Sequence, residues 1–349
     1  MFELEKIIRP NIKRMKPYSS ARDEYKGQEG VFLDANENPF NNPYNRYPDP
    51  LQNELKSKLA QIKKVEPSQI FLGNGSDEAI DLLIRAFCEP GKDSVLSLSP
   101  SYGMYQVAAE TNAVEFRTVS LNPDFTLNVN KLKEAIDSSV KLIFICSPNN
   151  PSGNRFAKED IISVLTGFNG LVVVDEAYID FSSGMSFLSE LNVFGNLVVL
   201  QTFSKAWGLA GIRLGIAYAS PEIIAILNKI KYPYNVNVLT QKVALEALHN
   251  LKQKENWVNT ILIQKEFLIQ KLRSMKVVEH IYPSDANFIL VKVAKSEDLF
   301  NFLIDKQIIT RNRSKVALCE GCIRITIGTE MENRILVETI SDFEDEYLK

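Results

Sequence analysis

A lysine surrounded by hydroxyl groups and glycines is the feature of the sequence best suited to chemistry. Lys205 lies in TFSKAWGLAGIRLG (202–215), between two apolar stretches. Thr202, Ser204 and Arg213 could hold a phosphate, and a cationic neighbour lowers the pKa of the lysine amine. An amine beside a bound phosphate is placed to attack an aldehyde and form an imine. A glycine-rich surface turn would contain similar residues, so this segment alone leaves a turn as the alternative.

Two carboxylates and a phenol end a second apolar stretch, LVVVDEAY (171–178). The carboxyl ends of strands in α/β sheets are where ligands bind. A buried Asp175 needs a partner, and a protonated pyridine nitrogen would be one, because the carboxylate keeps such a ring cationic and able to accept electrons. Tyr178 could then donate to a phenolic oxygen on the same ring. Taken alone, the motif favours Asp175 as a helix cap or an ion-pair partner.

Three further motifs follow apolar stretches. In SPNNPSG (147–153), two prolines fix a turn that could hold the Asn150 amide against a flat ligand. GNGSDE (73–78) joins a strand to a helix and offers backbone N–H groups to an anion, but it lacks the Gly-Lys-Ser/Thr ending of a nucleotide-binding loop. PSYG (100–103) offers the ring of Tyr102 for stacking. Because four of the motifs end successive predicted strands, we expect them at one edge of one sheet, in a single site.

The elements that would position these residues follow an α/β pattern. Short apolar, β-branched runs alternate with amphipathic segments of helical period, which is typical of a mainly parallel sheet between helices. The seven predicted strands cover residues 69–73, 94–99, 114–121, 141–147, 171–177, 197–203 and 213–220. The helical segments between them include residues 77–88, 102–110, 158–168 and 221–230.

The pattern changes near YPYNVNVLT (232–240), where we place a domain boundary. The prediction is an N-terminal arm (1–40), a large domain (41–235), and an interdomain helix with a small α+β domain (236–349). In the small domain, strands are predicted at 286–293, 308–311 and 322–328, followed by a terminal helix.

Composition narrows the classes of function. The 349 residues carry a net charge of −3 with no long basic run, which disfavours nucleic acid and anionic membranes as partners. Neither His249 nor His280 adjoins a nucleophile or carboxylate motif, so a serine–histidine–acid triad or a histidine-ligated metal is not expected. Cys319 and Cys322 have the spacing of half a zinc site without a second half, and no metal is predicted. A cytoplasmic protein with reduced thiols is expected.

Together, PNNPSG, VVVDEAY and TFSKAWGLAGIRLG resemble the fold type I pyridoxal-phosphate-dependent aminotransferases. The resemblance implies catalytic roles for Lys205, as the Schiff-base lysine of pyridoxal 5'-phosphate, for Asp175 on its pyridine nitrogen, and for Tyr178, which with Asn150 binds the ring oxygen. Tyr102 would stack on the ring. The residues implied for the cofactor phosphate are Gly75, Ser76, Asp77, Thr202, Ser204 and Arg213, with Tyr47 from the other subunit. That last role implies a homodimer.

Other segments are similar to the members of this family that act on histidinol phosphate. They are KPYSSARDEY (16–25), LDANENPF (33–40), NRYPDP (45–50), GNGSDE (73–78), TRNRSK (310–315) and CEGCIRITIGT (319–329). The substrate residues implied are Tyr18, Asn36, Arg311 and Arg324. The expected ping-pong reaction converts L-histidinol phosphate and 2-oxoglutarate to imidazole-acetol phosphate and glutamate in histidine biosynthesis. The same two arginines would bind both carboxylate and phosphate. For Arg313, an exposed charged turn and a substrate contact both stay open.

Three alternatives share parts of this pattern. An aromatic amino acid aminotransferase or a threonine-phosphate decarboxylase would use the same cofactor motifs, and single-turnover reactions with each substrate would separate them. A non-catalytic ligand sensor would need an attached DNA-binding segment, and the sequence has no basic helix-turn-helix stretch.

Overall fold

The computed structural model describes residues 2–18 and 30–347, and a large sheet dominates this part of the chain. Its strands run in the order β1-β7-β6-β5-β4-β2-β3, with β7 antiparallel to both neighbours and the other neighbouring pairs parallel. The strands are β1 Ile70–Asn74, β2 Ser94–Ser99, β3 Glu115–Ser120, β4 Val140–Cys146, β5 Leu171–Asp175, β6 Leu197–Thr202 and β7 Leu214–Tyr218. The predicted mainly parallel, seven-stranded sheet is therefore confirmed.

Helices cover both faces of this sheet, which explains why its strands are apolar at consecutive positions. On β5, Val172 and Val174 belong to one buried core, while Leu171 and Val173 belong to the core on the opposite face. Helices in this part of the chain are α1 Pro10–Arg14, α2 Asn53–Lys63, α3 Gly75–Phe87, α4 Met104–Thr111, α5 Val129–Glu134, α6 Lys158–Gly167 and α7 Pro221–Ile230. Short 3₁₀ turns lie at Leu4–Lys6, Pro67–Gln69, Ile179–Phe181, Phe187–Glu190 and Ala210–Ile212.

A second, antiparallel sheet forms after two long helices, α8 Val238–Leu248 and α9 Leu251–Arg273. Its strand order is β10-β11-β9-β8. The strands are β8 Val278–Ile281, β9 Phe288–Val293, β10 Arg311–Asn312 and β11 Cys322–Thr326, with α10 Ser296–Asp305 and α11 Glu330–Tyr347. One face packs with these helices in a core of its own, which includes Ile323, Leu303 and Phe343. The domain boundaries proposed after residues 40 and 235 stay predictions.

Two details of the small sheet differ from the prediction. The strand expected at 308–311 does not form over its first three residues, and β10 comprises Arg311 and Asn312, which lie opposite Arg324 and Ile323 of β11. Strand β8 was missed, since its residues Val278–Ile281 are half exposed and show no apolar run. Across the described ranges, no helix has the length and apolar content needed to span a membrane.

Candidate active site

A cavity of about 150 Å³ lies where the parallel strands of the large sheet end. Its lining comprises Gly75, Ser76, Asp77, Tyr102, Cys146, Asn150, Asp175, Ala177, Tyr178, Thr202, Ser204, Lys205, Ala210 and Arg213. All the cofactor residues expected from the sequence, apart from Tyr47, thus border one cavity. They are brought together because β1, β2, β4, β5 and β6 run in the same direction and most of these residues lie at or just after the carboxyl end of a strand. Arg213 directly precedes β7, which is antiparallel and therefore begins at the same edge.

Lys205 lies in the turn after β6, with its Nζ 5.6 Å from the centroid of the Tyr178 ring. Burial lowers the pKa of this amine, and the positive charges of Arg324 and Arg213 lower it further, against a raising effect of Asp175. A lowered pKa increases the neutral fraction of the amine at neutral pH. That fraction is the form that attacks an aldehyde or accepts a proton from carbon.

Asp175 ends β5 and is buried. The hydroxyl of Tyr105 donates to its Oδ2 at 2.8 Å, and the Ala177 N–H donates to its Oδ1 at 3.1 Å. Burial raises the pKa of this carboxyl to about 6, although both hydrogen bonds act in the opposite direction. A carboxylate in this state would ionise fully beside a cationic ring nitrogen, so the site fits a pyridinium partner.

The first turn of α3 forms another part of the cavity lining and has the features of an anion site. Gly75 has φ of +75°, and a Cβ added there would lie 2.6 Å from Arg213 Nη2. A Cβ at Gly215 would lie 2.0 Å from the Ser76 nitrogen. Glycines at these two positions therefore let the helix N-terminus, β7 and the Arg213 guanidinium approach one another. Backbone N–H groups, the nearby Ser204 hydroxyl and a guanidinium form a donor set that fits a phosphate.

Tyr102 also lines this cavity. Its hydroxyl donates to Asp77 Oδ1 at 3.2 Å, and its ring meets the Tyr105 ring edge-on at 5.5 Å and 85°. Burial and the Asp77 carboxylate raise the pKa of Tyr102, so the phenol stays neutral. Burial likewise raises the pKa of Tyr178, which keeps a proton to donate.

Of the two arginines expected to bind substrate, Arg324 contacts a residue that lines the cavity and Arg311 does not. The Arg324 guanidinium donates from Nη1 to Asn150 Oδ1 and lies 5.2 Å from the Phe288 ring centroid. Arg311 faces Arg324 in register across β10 and β11, and is exposed. Neither arginine lines the cavity itself, but Asn150 joins Arg324 to its edge.

Tyr47, Asn36 and Tyr18 lie elsewhere in this chain. Tyr47 and Asn36 line a second cavity of about 460 Å³, and the Tyr47 ring stacks on Tyr234 at 4.4 Å and 13°. Tyr18 is 69% exposed and borders neither cavity. Residues 19–25 of the KPYSSARDEY motif lie outside the described ranges. The roles expected for these three residues stay predictions.

Three residues at the site were not anticipated from the sequence. Tyr105 lies in the first turn of α4, whereas Tyr102 precedes that helix; in the helix predicted at 102–110, their spacing of three residues would put both on one face and could have drawn attention to Tyr105. Cys146 faces Asp175 in register on the neighbouring strand, and burial raises the pKa of its thiol. Glu176 accepts hydrogen bonds from the Phe187 N–H, the Gln201 amide and the Ser186 hydroxyl, and so fixes the start of the loop that carries Tyr178.

Comparison with known proteins gives consistent results. The family model for aminotransferase class I and II matches residues 30–340. The chain is 58% identical to a histidinol-phosphate aminotransferase of Parabacteroides distasonis, over 98% of this chain and 99% of that protein. The crystal structure of the histidinol-phosphate aminotransferase from Clostridium acetobutylicum has a TM-score of 0.80 at 24% identity, covering 86% of this chain and 91% of that one. A Sinorhizobium meliloti histidinol-phosphate aminotransferase in complex with pyridoxal-5'-phosphate has a TM-score of 0.78 at 23% identity, over 85% of this chain and 83% of that one. These structural likenesses show the fold expected from the sequence.

Proposed function

As the chain belongs to the class I and II aminotransferases, we propose that it transfers the amino group of L-histidinol phosphate to 2-oxoglutarate in histidine biosynthesis, with pyridoxal 5'-phosphate bound at Lys205. One observation carries the cofactor assignment. A single cavity is lined by an amine of lowered pKa, a buried carboxylate and a set of phosphate donors at a helix N-terminus. The substrate assignment draws support from the high identity to relatives of that name and from Arg324 at the cavity edge.

Bound pyridoxal phosphate supplies an aldehyde that accepts the amino group and a cationic ring that withdraws electrons from the adjacent carbon. Lys205 Nζ takes the proton from the carbon that bears the substrate amine, since its lowered pKa favours the neutral base. Asp175 would keep the ring nitrogen of the bound cofactor protonated, and Tyr105 holds the Asp175 carboxylate in place. Tyr178 and Asn150 would donate to the ring oxygen, and Tyr102 would pack against the ring.

Arg324 and Arg311 bind the acidic group of either substrate. Glutamate carries a carboxylate beside its reacting carbon, whereas histidinol phosphate has a phosphate ester there. A guanidinium binds either anion by donating paired N–H hydrogen bonds, so one site can serve both halves of the reaction.

A substrate comparison tests this function. Purified holoenzyme is mixed in single turnovers with L-histidinol phosphate, phenylalanine or threonine phosphate, and the keto product and released carbon dioxide are measured. We expect kcat/KM for histidinol phosphate to exceed that for phenylalanine by at least about 100-fold, because a phosphate ester has more negative charge and more acceptor oxygens for the guanidinium donors than the carboxylate of phenylalanine has. A preference for phenylalanine, or release of carbon dioxide from threonine phosphate, would contradict the proposed substrate.

We further propose that the enzyme works as a homodimer in which Tyr47 of each chain reaches the cofactor phosphate of the other. Support comes from the position of Tyr47, which is half exposed and borders the 460 Å³ cavity, away from Lys205. The side chains of Leu33, Phe40 and Tyr44 nearby along the chain are also exposed, at 88%, 76% and 61%. Large apolar side chains exposed together mark an interaction surface.

Mixed dimers test the contribution of Tyr47 across subunits. Tyr47→Phe is expected to weaken cofactor binding about 10- to 100-fold, the effect of one hydrogen bond to a charged group. When Tyr47→Phe chains are refolded with inactive Lys205→Ala chains, a mixed dimer contains one site with both Lys205 and Tyr47 intact. Activity at limiting cofactor should then rise above that of either variant alone. If Tyr47 acts within its own chain, mixing restores nothing.

A further inference from the structure

A third arginine lies next to the two already considered. The Arg313 N–H donates to the Cys322 carbonyl at 2.8 Å, so the ladder between β10 and β11 continues one step beyond Asn312. Side chains two residues apart on a strand share a face, which puts Arg313 on the same face as Arg311. Arg311 lies opposite Arg324 in the register, so that face carries all three guanidinium groups.

This face is directed toward the large sheet. Cys322 and Leu290 on it pack in the core that contains the large-sheet residues, while Ile323 and Ile325 on the other face pack with the small-sheet helices. Arg324 bonds to Asn150 of the Lys205 cavity, and its guanidinium lies 5.2 Å from the centroid of the Phe288 ring, which packs edge-on against Tyr178 of the same cavity. The three arginines are therefore beside the reaction cavity.

No carboxylate in the described part of the chain neutralises the positive charge of this group. Within the described residues, none of Arg311, Arg313 and Arg324 forms a salt bridge, and the only side-chain hydrogen bond among them goes to the neutral Asn150 amide. The Nε atoms of Arg313 and Arg324 are buried and have no acceptor among residues 2–18 and 30–347. Burial lowers the pKa of both groups, and neighbouring arginines lower it further. Buried donors of like charge without acceptors are unfavourable unless an anion binds to them.

We propose that Arg313 is a specificity-determining residue that binds the second negative charge of a substrate phosphate ester. A carboxylate has one charge and two oxygens, which Arg324 and Arg311 can satisfy. A phosphate monoester carries about −1.5 to −2 charges at pH 7 and three acceptor oxygens, and it can engage a third guanidinium. This inference rests on the proposed function and deepens it, since it separates the phosphate substrate from glutamate at the same site.

Charge removal at Arg313 tests the inference. In the holoenzyme, Arg313→Gln is expected to lower kcat/KM for L-histidinol phosphate about 10- to 100-fold, the effect of losing one charged hydrogen bond. The half-reaction with glutamate should change by less than about threefold, as expected where no direct contact is lost. Lys315→Gln removes the same charge from an exposed side chain two residues further on and should leave both reactions unchanged. If Arg313→Gln lowered kcat/KM equally for histidinol phosphate and glutamate, or for neither, a role of Arg313 in selecting phosphate would be refuted.

A second measurement does not require histidinol phosphate to be a substrate. At saturating pyridoxal phosphate, inorganic phosphate should inhibit the glutamate half-reaction competitively, and Arg313→Gln should raise its inhibition constant at least about tenfold. If wild-type enzyme fails to convert histidinol phosphate but shows this change, the proposed substrate is wrong and the role of Arg313 in phosphate binding stands. If phosphate inhibits both proteins equally, the role of Arg313 is wrong. The melting temperature of the variant should not fall, because a buried donor without an acceptor is removed.

Discussion

Replacement of Lys205 by alanine is expected to reduce kcat by about 10⁴-fold or more, at the upper end of the range for a positioned acid–base group. The variant loses the amine of lowered pKa that borders both Tyr178 and the Asp175 wall of the cavity. It keeps the α3 N-terminus and Arg213, so pyridoxal phosphate should still bind. Cofactor retained after dialysis measures binding, and borohydride reduction followed by mass spectrometry measures covalent attachment, which should be lost.

A matched control for this variant is Lys254→Ala. The Lys254 amine pairs with Asp180 at 2.6 Å and lies 5.2 Å from the Trp207 ring centroid, close to the same loop but outside the cavity. Its removal deletes the same charge and should leave kcat within about threefold, as for a substitution that touches no reacting group. A small amine such as ethylamine should partly restore turnover to Lys205→Ala and not change the control. Turnover of Lys205→Ala near that of wild type would show that another group moves the proton.

The large sheet could be predicted because its strands are buried on both faces. Uninterrupted apolar runs such as Val172 to Val174 are recognisable without any tertiary information, and the observed ends agree with prediction to within one or two residues. Strand β8 could not be found this way, because the exposed Glu279 and His280 give it no apolar pattern. Arg311 and Asn312 form so short a strand that only its pairing with β11 defines it.

The assembly of the cavity was predictable for a related reason. Parallel strands end at one edge of a sheet, so a prediction of this sheet also predicts that Asn150, Asp175 and Lys205 lie close together. The hydrogen bond from Tyr105 to Asp175 was not predictable, since it depends on how α4 packs against the sheet. The same limit applies to Arg313, whose direction follows from a backbone bond to Cys322 that local sequence does not reveal. Tyr47 is a different case, because its expected role depends on a second chain.

Substitution of Asp175 by asparagine is expected to stabilise the cofactor-free protein at neutral pH. The folded-state pKa of Asp175 is about 6, above its ordinary value of 3.8, so the folded protein binds the proton more tightly than the unfolded chain does. The resulting stabilisation is complete below about pH 4 and is lost as pH rises toward 6, by about 3 kcal/mol for a shift of this size. Asparagine does not titrate. The difference in free energy of unfolding, variant minus wild type, should therefore rise between pH 4 and 6 in urea titrations.

The same substitution should have the opposite effect once the cofactor is bound. The ring nitrogen then supplies the positive charge that the buried carboxylate lacks in the free protein, and removing one member of a buried ion pair costs about 3–5 kcal/mol. We expect Asp175→Asn to lower kcat about 10²- to 10³-fold and to weaken cofactor binding.

Tyr105→Phe is the matched comparison, because it removes a hydrogen bond to Asp175 Oδ2 but keeps the charge of the carboxylate. For this variant kcat should fall about tenfold. An Asp175→Asn variant that is no more stable without cofactor and remains active with it would show that this carboxylate has no cationic partner. The opposite signs expected with and without cofactor separate an ion-pair role from a merely structural one, since a structural carboxylate would destabilise both forms when removed.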